Sequence, residues 1–588
     1  MNSRRVSRRR LLAGGGATLA ASLAGAAGFA LSRRGGGTSP PASTASQPGA
    51  LPTSDAPDSP TPSSTPVPRG GVARMSAAAR FNFDTFDAQR SGEPSVIEVL
   101  GRTHSRLLDW AEFSDPRLTA GLAERWEQPS SRTLTLHLDP RALWHGSGAI
   151  APRPVTADDV VQHFNRQFAL RSARQPLAQR MGDYAHWTRV VAVDARTVNI
   201  ETDVPDPFVL ATLAGRFALV QSPESVQAFA TEWDKFRPET VAGSGPFRFR
   251  ERRGDGPLVF TAVRGGHREP SLSGLEVFEP GAPEDLLSFR RDEVLTRDRR
   301  DAATLRKEAR LVESPRYEDS PVISSFFIGA PPWNNSELVR AISAALNRTW
   351  LSEQLFGGRA DACGPVSPAS GDFALDAPAL ARYPGFAADA AADARVARAL
   401  WDTAGGTALG TVTVDFPSVF DPLYSASSVV VGRLNEVLGP QFRAAVETYT
   451  TIASKAAEHR YGGGSAAFWF GWGPALLEPD PSRSLVETYF SGGPNAELLG
   501  LQPSKVDLAL TSMTDLASST PGRARVHATQ EAILSAGGLG IVTWLLQKSE
   551  MFRWPYWRGA PLSPFWTQHL DYAAYLDPSS LAFPLRPT

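Results

Sequence analysis

The chain of 588 residues has one cysteine, Cys363. No intramolecular disulfide can form, and with no histidine close to it in sequence the thiol reads as structural rather than nucleophilic. The common enzyme signatures are missing. There is no G-x-S-x-G elbow, no H-E-x-x-H helix, no S-x-x-K pair and no C-x-x-C pair. The nine histidines are scattered, with no H-x-H cluster, and the spacing of His104, His137 and His145 gives a metal site no support. Lysine is scarce too. Only Lys235, Lys307, Lys455, Lys505 and Lys548 occur, a bias towards arginine that carries no functional content.

What is present begins with a targeting segment. Ser7-Arg8-Arg9-Arg10-Leu11-Leu12 fits the twin-arginine export pattern, and Leu11 to Leu31 follows without a charge. That block is rich in Ala and Gly and only mildly apolar, yet it has the roughly 20 residues a helix needs to cross a bilayer core. Cleavage, for which Ala24-Gly25-Ala26 is a candidate site, and retention as an anchor both stand open. No cysteine is placed there to receive a lipid. Residues 35–71 are Gly, Pro, Ser and Thr with almost no large apolar side chain, which predicts a disordered spacer. Residues 1–34 hold seven arginines and no acid, so the remainder carries 53 basic and 61 acidic residues, a net of about −8, which argues against nucleic acid as a partner.

The most informative stretch is 118–161. Leu122-Ala123-Glu124 and Trp126 precede Thr133 to Leu138, which alternates as a half-buried strand. Trp144-His145-Gly146 marks a turn. Thr156 then caps a helix, with Asp159 as the short-armed partner of a capping box and Val160, Val161, Phe164 and Phe168 as its apolar face. Further on, Gly243-Ser244-Gly245-Pro246-Phe247 leads into a strand, its glycines expected to take positive φ. A phosphate cradle there lacks the P-loop lysine and its adjoining Ser/Thr. Asn334 and Glu337 are expected to cap a helix whose stripe is Leu338, Val339, Ile342, Ala345 and Leu346, ending at Gly357-Gly358. From Arg395 to Trp472 helices alternate with strands, which predicts a mostly parallel sheet with ligands beyond its carboxyl edge.

The words in 118–161, in that order and at that spacing, resemble the signature of the peptide/nickel solute-binding proteins of ABC importers, bacterial extracellular solute-binding family five. Residues 241–249, 338–348 and 468–481 resemble further words of the family, with Asn347 where its aspartate is usual. The resemblance implies an α/β, two-lobed periplasmic-binding-protein-like fold of type II. Its expected plan is lobe I from 72–100, 241–320 and 530–588, the inserted subdomain of peptide-type members in 101–240, and lobe II in 321–529. Trp544, Trp554, Trp557 and Trp566 are expected to finish the packing of lobe I. The implied function is extracytoplasmic capture of a small ligand, a peptide or peptide-like molecule, for delivery to a membrane permease. A monomer without cofactor or metal is expected. A sensory binding protein and a secreted hydrolase are the alternatives.

The resemblance also supplies site residues. Trp472 and Trp469 end a strand at ligand-facing positions, Phe326 lies where the chain crosses to the second lobe, and Gln89 and Ser91 fall in a ligand-facing loop. Core packing competes for Phe326, and it is the favoured reading for Phe468 and Phe470. Peptide-binding members usually have an aspartate three residues after the tryptophan, pairing with the peptide's α-ammonium; here that position is Ala475. A buried ammonium without a carboxylate costs several kcal/mol, so about that much must come from another acid, or the ligand has no free amine there.

Overall fold

The computed structural model describes residues 68–577 except 78–80, 82, 84, 92–93, 111–116, 147–149, 173–183, 185, 216, 236, 238–239, 317–321, 328–330, 419–426, 449–450, 453–454, 457, 459, 462–465, 473–479, 493–495, 497–499, 513–521, 548 and 559–574. The twin-arginine segment, the spacer up to residue 67, Ala475 and Trp566 therefore lie outside the described residues. Those described fall into two compact units, one from 322 to 549 and the other from 68 to 316, resuming at Glu550. Among them no helix is long and apolar enough to cross a membrane.

The unit that starts at residue 68 has two cores. The first lies on a four-stranded sheet in the order Val72–Ser76, Gly274–Phe278, Leu258–Ala262, Phe247–Arg252. The first pair is parallel and the rest antiparallel. Phe86, Leu100, Phe249, Phe260 and Leu275 fill it. Trp554 and Trp557 complete it, their indoles donating to Leu286 O at 2.9 Å and Glu293 at 2.7 Å. The second core belongs to the inserted stretch. Here Ala123–Ser130, Thr133–Leu138, Thr197–Thr202 and Trp187–Ala192 form an antiparallel sheet under the helix Ala157–Ser172. The expected alternation holds: Leu134, Leu136 and Leu138 are buried together with Val160 and Phe164 of the helix.

The 322–549 unit is built on a six-stranded sheet in the order Ala360–Ala362, Ile541–Gln547, Val322–Phe326, Ala467–Trp472, Val412–Pro417, Phe442–Glu447. It is mixed rather than mostly parallel. Val412–Pro417 runs parallel to both neighbours, and every other pairing is antiparallel. The reason is that Val322–Phe326 carries the chain into the unit and Ile541–Gln547 carries it towards the exit, side by side. A crossover helix, Ser427–Leu438, joins the parallel pair Val412–Pro417 and Phe442–Glu447. Because Ile541–Gln547 is a strand of this sheet, residues 530–549 pack here and not with lobe I. Trp544 is accordingly in this core, donating to Ser325 Oγ at 2.8 Å.

Two local expectations change. The helix expected from Asn334 to Gly357 is two helices, Ser336–Ala345 and Arg348–Phe356. Asn335, one residue later than expected, caps the first by accepting the Glu337 N–H. Asn347 breaks the chain between them. It accepts the Trp350 N–H at 2.9 Å and donates to Ala387 O and Asp393, both at 2.7 Å, so this buried amide caps the second helix and ties it to a neighbouring turn. Gly357 takes φ +57° and ends it, as the sequence predicts.

Candidate functional site

The signature turn is a hydrogen-bonded hub. Asp159, in the first turn of its helix, accepts the Thr156 N–H at 2.9 Å and the Trp144 indole at 3.0 Å. Arg153 grips it with two bonds of 2.7 Å and holds Glu224 with two more. Burial pushes the Asp159 carboxyl up, but Arg153 and Trp144 more than offset this and keep it below the ordinary range. His145 beside it is fully buried and hydrogen-bonded to Gly245 O at 2.6 Å, and burial pulls it down to about 3. It stays neutral at physiological pH. Trp144, His145 and Asp159 are all buried and bonded to the fold, so the word that is most legible in the sequence is architectural.

The Gly243-Ser244-Gly245 word works differently from expectation. Neither glycine takes positive φ. A Cβ on Gly243 would sit 1.7 Å from Thr103 O, and one on Gly245 would sit 2.8 Å from Arg102 O. These residues are glycine because the backbone passes directly against the end of the helix Pro94–Thr103.

Of the predicted site residues, three lie together in the mixed sheet. Phe326 is opposite Trp469 in register, and Ile323 is opposite Trp472 at the strand's end. The Phe326 and Trp469 rings stack at 4.3 Å and 16°, and Tyr461 packs on Trp469 at 4.9 Å. Trp469 is 4% exposed, whereas Phe326 is half-buried. Alternation separates the two faces: Val414, Phe416, Phe468 and Phe470 go to the main core, and Asp415 and Trp469 to the other side. The competing core reading of Phe468 and Phe470 is the one the structure bears out.

Sequence reasoning missed the polar part of this second face. Asp415, 1% exposed, accepts from Lys455 and from the Tyr461 hydroxyl, both at 2.8 Å, and Lys455 also reaches Glu447 at 3.0 Å. Burial pulls the Lys455 ammonium down, but the two carboxylates hold it above the usual lysine value. Burial and then the Asp415 charge push the Tyr461 hydroxyl far up, so it remains a donor. The result is a wall of three rings anchored through Tyr461 on the buried Asp415 and its ion pair with Lys455. The available signal was the alternation in Val412–Pro417, which puts Asp415 opposite to Val414 and Phe416.

Gln89 and Ser91 lie in the other unit, and both are buried. Gln89 donates to His163 O at 2.9 Å and accepts from Arg166 at 2.5 Å. Arg166 at the same time clasps Asp87. Both ends of the Gln89 amide are thus engaged by the fold. Cys363 is buried, and burial pushes its thiol up to about 12, as an inert structural cysteine requires. Among the described residues no group of three or more His, Cys, Asp or Glu could hold a metal ion.

Comparison with known proteins agrees with this architecture. Residues 117–495 match the family described as bacterial extracellular solute-binding proteins, family 5 Middle. A probable ABC transporter periplasmic-binding protein, SapA of Escherichia coli K12, is 24% identical over 302 residues, 48% of this chain and 55% of that protein, so the match spans about half of the relative's length. Among solved structures, the periplasmic binding protein DppA of Helicobacter pylori, in complex with the peptide STSA, superposes with a TM-score of 0.67 at 16% identity, covering 87% of this chain and 99% of that one. HbpA2 of Haemophilus parasuis gives a TM-score of 0.67 at 19% identity, covering 86% and 99%. The shared architecture is the two-lobed α/β fold of periplasmic binding proteins. With more than half its length matched by the family model, the chain belongs to the bacterial extracellular solute-binding proteins of family 5.

Proposed function

We propose that the protein captures a peptide or peptide-like solute outside the cytoplasm and delivers it to the membrane permease of an ABC importer. The family match over 117–495 carries this reading, and a fold neighbour that holds the peptide STSA supports the ligand class. The chemistry asked of the chain is binding alone: contacts made only in the closed form shift the population towards closure, and no covalent step is needed. Trp469 and Phe326, with Tyr461, supply the aromatic wall; Trp472 at the end of the same strand, Gln89 and Ser91 are the further contacts proposed. With Ala475 in place of an acid, the ligand's amine is held elsewhere or is absent. Export follows the twin-arginine route through Arg8-Arg9.

The test is native mass spectrometry of the purified protein, then thermal shift against the released compound and a pool of short peptides. A ligand at about 100 times its dissociation constant adds about 2.7 kcal/mol, a visible rise in melting temperature. Trp472→Ala is expected to weaken binding at least tenfold with the ligand-free melting temperature unchanged. A protein that purifies empty and responds to no peptide would overturn the proposal.

A further inference from the structure

We propose that His145 and His267 form an acid-sensitive latch that fastens the inserted subdomain to the sheet of its own unit. They meet where the two cores join. Ser105 and His145 belong to the inserted side, while residues 243–248 and 267–268 belong to the sheet side. His145 N donates to Gly243 O at 2.8 Å, its Nε2 donates to Gly245 O at 2.6 Å, and Arg248 donates to His145 O. Ser105 Oγ donates to Ser244 O at 3.2 Å and lies 3.3 Å from His267 Nε2. Arg268 donates across the same junction to Ala120 O.

These bonds fix the protonation of two rings. A carbonyl only accepts, so His145 carries its proton on Nε2. The single Ser105 proton goes to Ser244 O, so His267 Nε2 must also be the donor. Each Nδ1 is then a bare lone pair, and both are shut from solvent with no hydrogen-bond partner, although the His267 side chain is otherwise only half-buried. A second proton on either ring would point into this enclosed space with no acceptor.

The surrounding charges add to the cost. His145 faces Arg248, His104 and His267. His267 faces Arg268, Arg141, Asp139 and Asp109. Asp139 is taken by two bonds from Arg141, and Asp109 by Arg268 and, at 3.7 Å, by Arg106. His104, with Nδ1 2.9 Å from Thr103 Oγ1 and its ring against Leu100 O and Ala242 O, has its partners on the sheet side and is not counted in the latch; His163 and its neighbour Arg166 lie beyond it. His163 accepts the Gln221 N–H at its Nδ1 and is not counted in the latch. Burial first, and then the neighbouring arginines, hold His145 and His267 at about 3 and 4 while docked.

The sign follows from linkage. Rings whose docked value lies below the free value of about 6.5 stabilise docking fully above that pH, and the stabilisation is lost as pH falls below it. Between pH 7.5 and 5.5 each ring that protonates only when undocked raises the open population about tenfold, and two raise it about a hundredfold. Asp139 does not titrate in this window, because its pairing with Arg141 outweighs burial and keeps its carboxyl below the usual range.

The experiment is hydrogen exchange by mass spectrometry on the intact protein at both pH values, corrected for intrinsic rates. Peptides covering 104–145 and 241–249 are compared with peptides covering 412–447. Expected is a rise in opening of about a hundredfold confined to the junction, abolished in the double variant His145→Gln, His267→Gln. If the double variant does not fold, His267→Gln alone is expected to remove one factor of about ten. An unchanged junction in the wild type, an equal rise in 412–447, or variants as acid-sensitive as the wild type would overturn the proposal.

Discussion

Replacing Gly243 by alanine tests why the Gly-Ser-Gly word exists. The dihedral at Gly243 suits any residue, so a conformational argument predicts little change or a slight gain. Space predicts the opposite. The new Cβ would lie 1.7 Å from Thr103 O, and ordinary contact needs roughly 3.3 Å, so the two segments must part by about 1.5 Å. Two backbone bonds span that gap or leave from it: Gly245 N to Thr103 O at 2.9 Å and His145 N to Gly243 O at 2.8 Å. Losing both costs about 2 kcal/mol, and overpacking adds about 1–3, for a total of about 3–5 kcal/mol. Gly432→Ala is the matched control. Gly432 sits in the exposed interior of Ser427–Leu438 with nothing within 4 Å of a built Cβ, and alanine there is expected to stabilise by about 0.5–1 kcal/mol. With two units, a single unfolding curve is not sufficient. Urea-dependent hydrogen exchange read separately in 241–262 and 427–438 gives each ΔΔG. A loss below about 1 kcal/mol at Gly243 would refute the close-approach argument.

Three further outcomes follow from the packing. Arg348, buried between the Phe386 and Trp544 rings, donates to Ser343 Oγ at 2.8 Å, Thr543 O at 2.7 Å and Gly385 O at 3.3 Å; Arg348→Lys keeps a cation but cannot reach all three, and is expected to cost about 2–4 kcal/mol in urea unfolding. Asp159→Asn removes the paired grip of Arg153 and is expected to cost about 1–3 kcal/mol at pH 7; because the native carboxyl is held below its unfolded value, the difference from wild type is present above about pH 4 and fades as pH falls further, which urea titrations at pH 7 and 3 would detect. Cys363, with its thiol raised to about 12, is expected to resist a disulfide reagent at pH 8 in the native protein and to react at once in urea; rapid native labelling would contradict its burial.

Much of the framework is legible in the residues themselves. The alternation of Thr133 to Leu138, the helix from Ala157 with Asp159 accepting the Thr156 N–H, and the glycine stop at Gly357 rest on interactions within a few residues, and they form as read. Misreadings arise where a distant segment decides the outcome. The cap falls on Asn335 and not on the expected Asn334, because the helix starts at Ser336. The glycines at 243 and 245 look like a turn, but their reason is a helix end about 140 residues earlier in the chain.

The same division holds for the candidate site. The aromatic run from Phe468 to Trp472 is visible by eye, and alternation alone sends Phe468 and Phe470 to one side and Trp469 to the other. No local pattern shows that Phe326 would stack on Trp469, that Asp415 would meet Lys455 and Tyr461, or that Gln89 would spend its amide on Arg166 and His163. The chain's own periodicity and order of words determined the elements and the family. Strand order, the mixed sheet and the partners of each buried polar group were settled only in the folded chain, because pairing across about 50 to 220 residues depends on which strands become neighbours.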